Sequence, residues 1–167
     1  WSCCSVVGCL LHLSGNSQPD IAFAVHQVAH DPKHSCRTAL KQIFRCLKGT
    51  QDGGPVIQPE GDWQVGCCVD ADFCDLWGSE DPKDPVVAES RTGHILTLAR
   101  CPLMWVSKLQ TEVSVSAMMA ECVALSTAMR NMLPLKQLVK TVGKVVTEKK
   151  TCTWCVTLMS LKTTMVP

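Results

Sequence analysis

The sequence predicts an α+β fold, a mixed β-sheet flanked by helices with a helical segment at the N-terminal end. Three observations predict it. Apolar residues recur at helical spacing up to about residue 48. A glycine and proline break, "QDGGP", then separates that stretch from one that alternates like strands. From Ser114 the spacing becomes helical again. The break places a boundary near residue 52, so that 1–52 form a helical part and 53–167 a sheet-bearing part. A chain of 167 residues can bury a sizeable core.

In "NSQPDIAFAVHQVAHDP" Ser17 is the expected N-cap and Pro19 falls in the first turn, while Ile21, Ala24, Val25 and Val28 share a face, predicting a helix over 19–30. "SCRTALKQIFRCLKGT" predicts a second over 36–48. Its cap is Ser35, its apolar stripe Leu40, Ile43, Phe44 and Leu47, and its stop Gly49. The opposite face carries Arg37, Lys41, Arg45 and Lys48, which form either a solvated surface or one that meets phosphates. "VIQPEGDWQVGCCVDADF" reads as a hairpin turned at Pro59 to Asp62, with a strand over 63–72, and the acidic, proline-broken stretch 74–89 reads as a loop. Strands over 91–99 and 103–108 follow, turned around Cys101 and Pro102. A helix over 116–132 is expected to bury Met118, Cys122, Leu125, Met129 and Met132. Pro134 is expected to start a separate helix ended by Gly143, and "TCTWCVTL" a short last strand.

Composition narrows the function classes. With 16 Lys and Arg against 15 Asp and Glu, no global field draws the molecule to nucleic acid or to an anionic membrane, so any polyanion contact is local. No run is long enough for a membrane span and the opening residues lack a basic leader, which predicts an intracellular chain without membrane partners. The start at Trp1 and the end at "TTMVP" read as those of a fragment. The twelve cysteines sit in core-like words such as "GCLL", "RCLKG" and "AECVAL", which favours buried free thiols over a disulfide framework. The pair Cys152 and Cys155 is a weak zinc or redox motif. Tyrosine is absent altogether, although five Trp and three Phe are present.

The stretch "CCVDADFCDLWG" sets Asp70 and Asp72 two positions apart at the end of an apolar run. Glu121 falls on the apolar stripe of the later helix, where an unpaired buried carboxylate costs several kcal/mol. Asp70 and Glu121 on rigid elements could converge on Mg²⁺, which prefers hard oxygen ligands. Asp72 or Glu121 reaching solvent is the plainer alternative.

The order of these words resembles the Pol polyprotein of copia-type retrotransposons, from the end of the reverse transcriptase through most of the ribonuclease H domain. "VVGCLLHLSGNSQPDIAFAVHQVA" and "ALKQIFRCLKGT" resemble the reverse-transcriptase tail; "CVDADF", "SRTGHILTLARCPLMWVSKLQTEVSVS" and "AECVALSTAMR" resemble the ribonuclease H part. The resemblance implies a ribonuclease H-like sheet whose acids hold two Mg²⁺ ions and cut the RNA strand of an RNA–DNA hybrid, one ion activating water and the other stabilising the leaving oxygen. It further implies the remainder of a Pol polyprotein as a partner.

Motif by motif, the first acid of the family's "DAD" is Asp70 and the second acid of its "EAEY" is Glu121, while the first acid of that word falls on Met119. The third metal acid falls on Val156, and a fourth position would lie beyond Pro167. His12, Cys46, Cys68, His94 and Cys122 stand where the family writes Tyr, each one base change away, which implies drift. The resemblance thus implies a relict, inactive domain with at most one weakly bound Mg²⁺. The alternative is a nucleic-acid-binding module that uses Arg37, Lys41, Arg45 and Lys48 without catalysis.

Overall fold

The computed structural model describes residues 2–30, 36–60, 63–74, 88–146 and 154–158. The chain divides into two compact units, Trp1–Ile57 with Val106–Lys108, and Gln58–Trp105 with Leu109–Pro167.

The first unit is helical. α1 (Cys3–Asn16) places Val6, Leu10, Leu13 and Ser14 along one side, and a 3₁₀ turn at Pro19–Ile21 leads into α2 (Ala22–His30). α3 (Cys36–Gly49) completes the unit. Leu10, Ile21, Val25, Val28, Leu40 and Ile43 form its core. Two expectations change here. Residues 3–16 form a helix that the sequence reading left unassigned. Ser17 ends α1, its backbone N–H donating to the Leu13 carbonyl at 3.0 Å, so it does not cap the next helix. Thr50 closes α3 by donating from N–H and Oγ1 to the Cys46 carbonyl, at 3.0 and 3.1 Å. The cap expected at Ser35 lies outside the described residues.

The second unit is a mixed sheet: β1 (Val65–Asp72), β2 (Arg91–Leu98), β3 (Cys101–Leu109) and β4 (Trp154–Leu158), in the order β3-β2-β1-β4. β1 runs antiparallel to β2 from Val65 opposite Leu98 to Asp72 opposite Arg91. It runs parallel to β4 from Val65 beside Trp154 to Val69 beside Leu158. A parallel neighbour needs a crossover, and α4 (Ala117–Val146) lies between β3 and β4 in the chain. Alternation along β1 buries Val65, Cys67 and Val69 with Leu96 of β2 against Ala124, Ala128 and Met132 of α4. The fold is α+β, and its predicted sheet strands share one sheet.

Four details from residue 56 onward differ from expectation. Residues 56–60 form no strand, and Val56 and Ile57 are exposed. The β2–β3 turn is centred on Ala99 and Arg100, with φ of 49° and 67°. Positive φ at both central positions is the type I′ form of the two-residue hairpin turn, and it strains non-glycine residues. The Ala99 N–H donates to Gln64 O at 2.9 Å and its carbonyl accepts from Glu60 N at 3.2 Å, holding that conformation.

α4 is one helix of 30 residues with Pro134 inside it. Interior proline costs about 3 kcal/mol; Leu135 and Val139, beyond that proline, are half-buried against the sheet cluster, which favours continuing the helix. Finally, the buried side of α4 is Ala120, Ala124, Ala128 and Met132, whereas Met118 and Cys122 are exposed. Leu125, Met129 and Met132 of the expected line do pack on the sheet cluster, so only its first two members, Met118 and Cys122, are turned outward.

Candidate metal centre

Asp70 and Asp72 belong to the even positions of β1, and the odd ones, through Ala71, pack toward α4. Alternation therefore sets Asp70 on the sheet face that α4 does not cover. Asp70 is half-buried and stands opposite Gly93; Asp72 is exposed and opposite Arg91. Just beyond β1, Cys74 adopts φ of 53°, and its N–H reaches Ser90 Oγ at 3.5 Å.

Glu121 is exposed, contrary to the expected buried carboxylate. Its position explains this. Leu125, Ala128, Met132, Leu135 and Val139 step by three and four residues along the side that meets the sheet. One step back along that line is Glu121, in the first turn of α4 at the end of the sheet.

A buried polar network fixes that turn. Gln110 Nε2 donates to Thr92 Oγ1 at 3.1 Å and to the Ala120 carbonyl at 2.9 Å, and Ser114 Oγ donates to Gln110 Oε1 at 2.8 Å. The Gln110 N–H donates to Ser90 O at 2.7 Å. Thr92 is the partner of Ala71, so the residue before Glu121 is tied to the carboxyl end of β1 beside Asp70. Sequence reading missed Gln110, Thr92 and Ser114. The only signal was a polar stretch, "LQTEVSVS", between two apolar elements. Ser116 caps α4, its Oγ accepting from Met119 N–H at 3.2 Å. Met119 thus occupies the third helical position, where a glutamate would close a capping box.

Asp70 and Glu121 come to the same end of the sheet, Asp70 on the uncovered face and Glu121 on the helix rim. The other expected positions supply no ligand. Met119 has no oxygen, and the parallel register sets Val156 level with Cys67, three rows before Asp70, about 10 Å along the strand. Among the described residues no three of His, Cys, Asp or Glu come close enough to hold a metal ion. This donor set does not fit a two-ion Mg²⁺ centre.

Burial, with the neighbouring Cys68, pushes the Cys67 thiol up, so it stays protonated as a core residue. His94 is buried with Nε2 3.0 Å from Asn131 Nδ2, joining β2 to α4. Cys4, Cys9, Cys46, Cys67, Cys68, Cys74, Cys101 and Cys122 are free thiols, but of these only Cys67 and Cys101 are buried: Cys9, Cys46 and Cys122, in the words expected to be core, are exposed. Cys152 of the Cys152 and Cys155 motif lies outside the described residues. On α3, Arg37, Lys41, Arg45 and Lys48 are all exposed. No helix among the described residues is long and apolar enough to cross a membrane.

Comparison with known proteins places the chain. It is 34% identical over 119 residues to the retrovirus-related Pol polyprotein from transposon RE1 of Arabidopsis thaliana, covering 70% of this chain and 8% of that protein. It is 31% identical over 142 residues to the retrovirus-related Pol polyprotein from transposon TNT 1-94 of Nicotiana tabacum, covering 83% of this chain and 10% of that one. The secreted RxLR effector protein 161 of Plasmopara viticola is 32% identical over 127 residues, 74% of this chain and 84% of the effector. The chain belongs to one sequence family with these proteins, and its origin is a retrotransposon Pol polyprotein. It spans about a tenth or less of the length of the Pol polyproteins it matches. No family model matches the chain, and no solved structure matches it.

Proposed function

We propose that the chain is a relict ribonuclease H-like segment of a Pol polyprotein, preceded by the tail of a reverse transcriptase, that no longer hydrolyses RNA in RNA–DNA hybrids. The observation that carries this reading is the pair Asp70 and Glu121 at one end of a mixed sheet, without a third acid beside them among the described residues. Its Pol origin supports the assignment to nucleic-acid chemistry. Asp70 is half-buried on the face that α4 does not cover and Glu121 is exposed on α4 itself, so together they hold at most one Mg²⁺ weakly, because Mg²⁺ gives up its waters reluctantly. The partners on this reading are a hybrid or another nucleic acid and the remainder of the polyprotein.

The test is cleavage of an end-labelled RNA–DNA hybrid in Mg²⁺ and in Mn²⁺ by the chain and by Asp70→Asn. Both are expected at background. Cleavage by the parent that Asp70→Asn abolishes would overturn the inactive reading.

A second reading is favoured by α3, whose four cations are exposed and unaccompanied by any acid on that helix. On it the chain binds nucleic acid electrostatically through Arg37, Lys41, Arg45 and Lys48, without catalysis. Binding then weakens steeply with salt, and Lys41→Ala with Arg45→Ala reduces the log–log salt slope. An unchanged slope removes α3 from the account.

A further inference from the structure

We infer that the exposed face of α3 is a binding surface for single-stranded nucleic acid, with Phe44 as its stacking platform. This rests on the second reading above and adds the form of nucleic acid that the helix takes.

Phe44 carries the inference because it is exposed although it belongs to the apolar stripe expected of this helix. Leu40 and Ile43 are 4% and 5% exposed, whereas Phe44 is 41% exposed. At 100° per residue the four cations fall within one narrow sector of α3, and Phe44 lies at its edge, between that sector and the buried side. Lys41 is three residues before it and Lys48 four residues after it, the two spacings at which helix side chains are neighbours. Arg45 follows it directly. The cationic line from Arg37 to Lys48 runs about 16 Å. Thr38 and Gln42 are exposed beyond its other edge and offer neutral hydrogen-bonding groups. α3 holds no Asp or Glu, so no acid on the helix itself offsets these four cations in a molecule that is nearly neutral overall.

A cationic line beside one exposed ring is complementary to a strand that offers phosphates and unstacked bases together. Cations track the backbone of single strands, and aromatic rings stack on their bases. A duplex offers the phosphates but keeps its bases stacked on one another, so the ring gains nothing from it. Phe44 therefore converts a general attraction for polyanions into a preference for single strands.

The test uses the full chain and fluorescence anisotropy with a labelled 12-mer of deoxythymidine, a matched DNA duplex and a matched RNA–DNA hybrid. The parent is expected to favour the single strand, with a log–log salt slope of up to about −2.8 if all four cations meet phosphates. Phe44→Leu keeps an apolar side chain at the border and is expected to weaken single-strand binding roughly tenfold, with the salt slope and the duplex affinity unchanged. Phe44→Trp is expected to retain or strengthen single-strand binding, and circular dichroism of both variants checks that α3 is intact. Equal affinity for single strand and duplex, unaffected by Phe44→Leu, overturns the stacking role and leaves the basic-helix reading in place. No salt-dependent binding to any of the three probes overturns both.

Discussion

The two units bury their cores by different means. The helical unit packs large aliphatic side chains from three helices, Leu10, Ile21, Val25, Val28, Leu40 and Ile43, and its buried Ser14 donates within its own helix to the Leu11 carbonyl at 3.0 Å. The sheet unit sets valine, cysteine and leucine on strands against alanines of α4 and buries Gln110, Ser114 and Thr92 in one network. Aliphatic packing depends on volume and tolerates exchange of similar side chains. A buried amide with three polar partners depends on direction, and it fails when any partner is lost. The expected acids of the metal centre belong to the unit held by direction, and the basic face belongs to the unit held by volume.

Leu40→Ala removes a 4%-exposed side chain from the helical core and is expected to cost about 2–5 kcal/mol. Loss of amide protection in α1, α2 and α3 in hydrogen exchange reads it. A cost below 1 kcal/mol would mean that this core is loosely packed, and the contrast between the units would fail. Gln110→Ala takes away the links to Thr92, Ala120 and Ser114 and is expected to cost about 1–3 kcal/mol, seen in urea unfolding and in lost protection in the first turn of α4. A neutral result would mean that packing alone holds that turn.

Met119→Glu completes the capping box with Ser116 and is expected to stabilise the sheet unit by about 0.5–1 kcal/mol, read as a rise in the urea midpoint at unchanged slope. The smallest effect is expected of Val156→Asp. Its row is that of Cys67, so the new carboxylate lies away from Asp70 and Mg²⁺ affinity measured by calorimetry should not change. A gain would mean that β4 slides toward the register implied by the family's motif.

Much of the fold was legible because it follows from local periodicity. α2, α3 and the three strands of the antiparallel part appear close to their predicted limits, since Ile21, Val25, Val28, Leu40 and the alternation from Val65 to Val69 repeat at a single spacing. α1 was missed although Val6, Leu10 and Leu13 repeat correctly, because Gly8, Gly15 and three cysteines dilute the pattern. The break at Pro134 was wrong for another reason. Proline both starts helices and interrupts them, and which it does here depends on Leu135 and Val139 meeting a sheet distant in sequence.

The candidate site divides in the same way. Asp70 was legible from its word and from the strand that carries it. That Glu121 is exposed, that Gln110 ties the start of its helix to Thr92 of β2, and that Val156 is level with Cys67 are facts of register and approach between elements.

By itself the sequence determined the helical and extended stretches, the acid-free cationic line of α3 and the kinship with Pol polyproteins, because each is written in residues within about fifteen positions of one another or in an ordered run of words. The tertiary structure alone decided which side of α4 is buried, how far Phe44 is exposed, and that the Val156 row of β4 stands beside Cys67. Those outcomes depend on how closely backbones approach and how strands slide past one another, and the alanines of α4 and the pairing of β1 with β4 set both across more than fifty residues of chain.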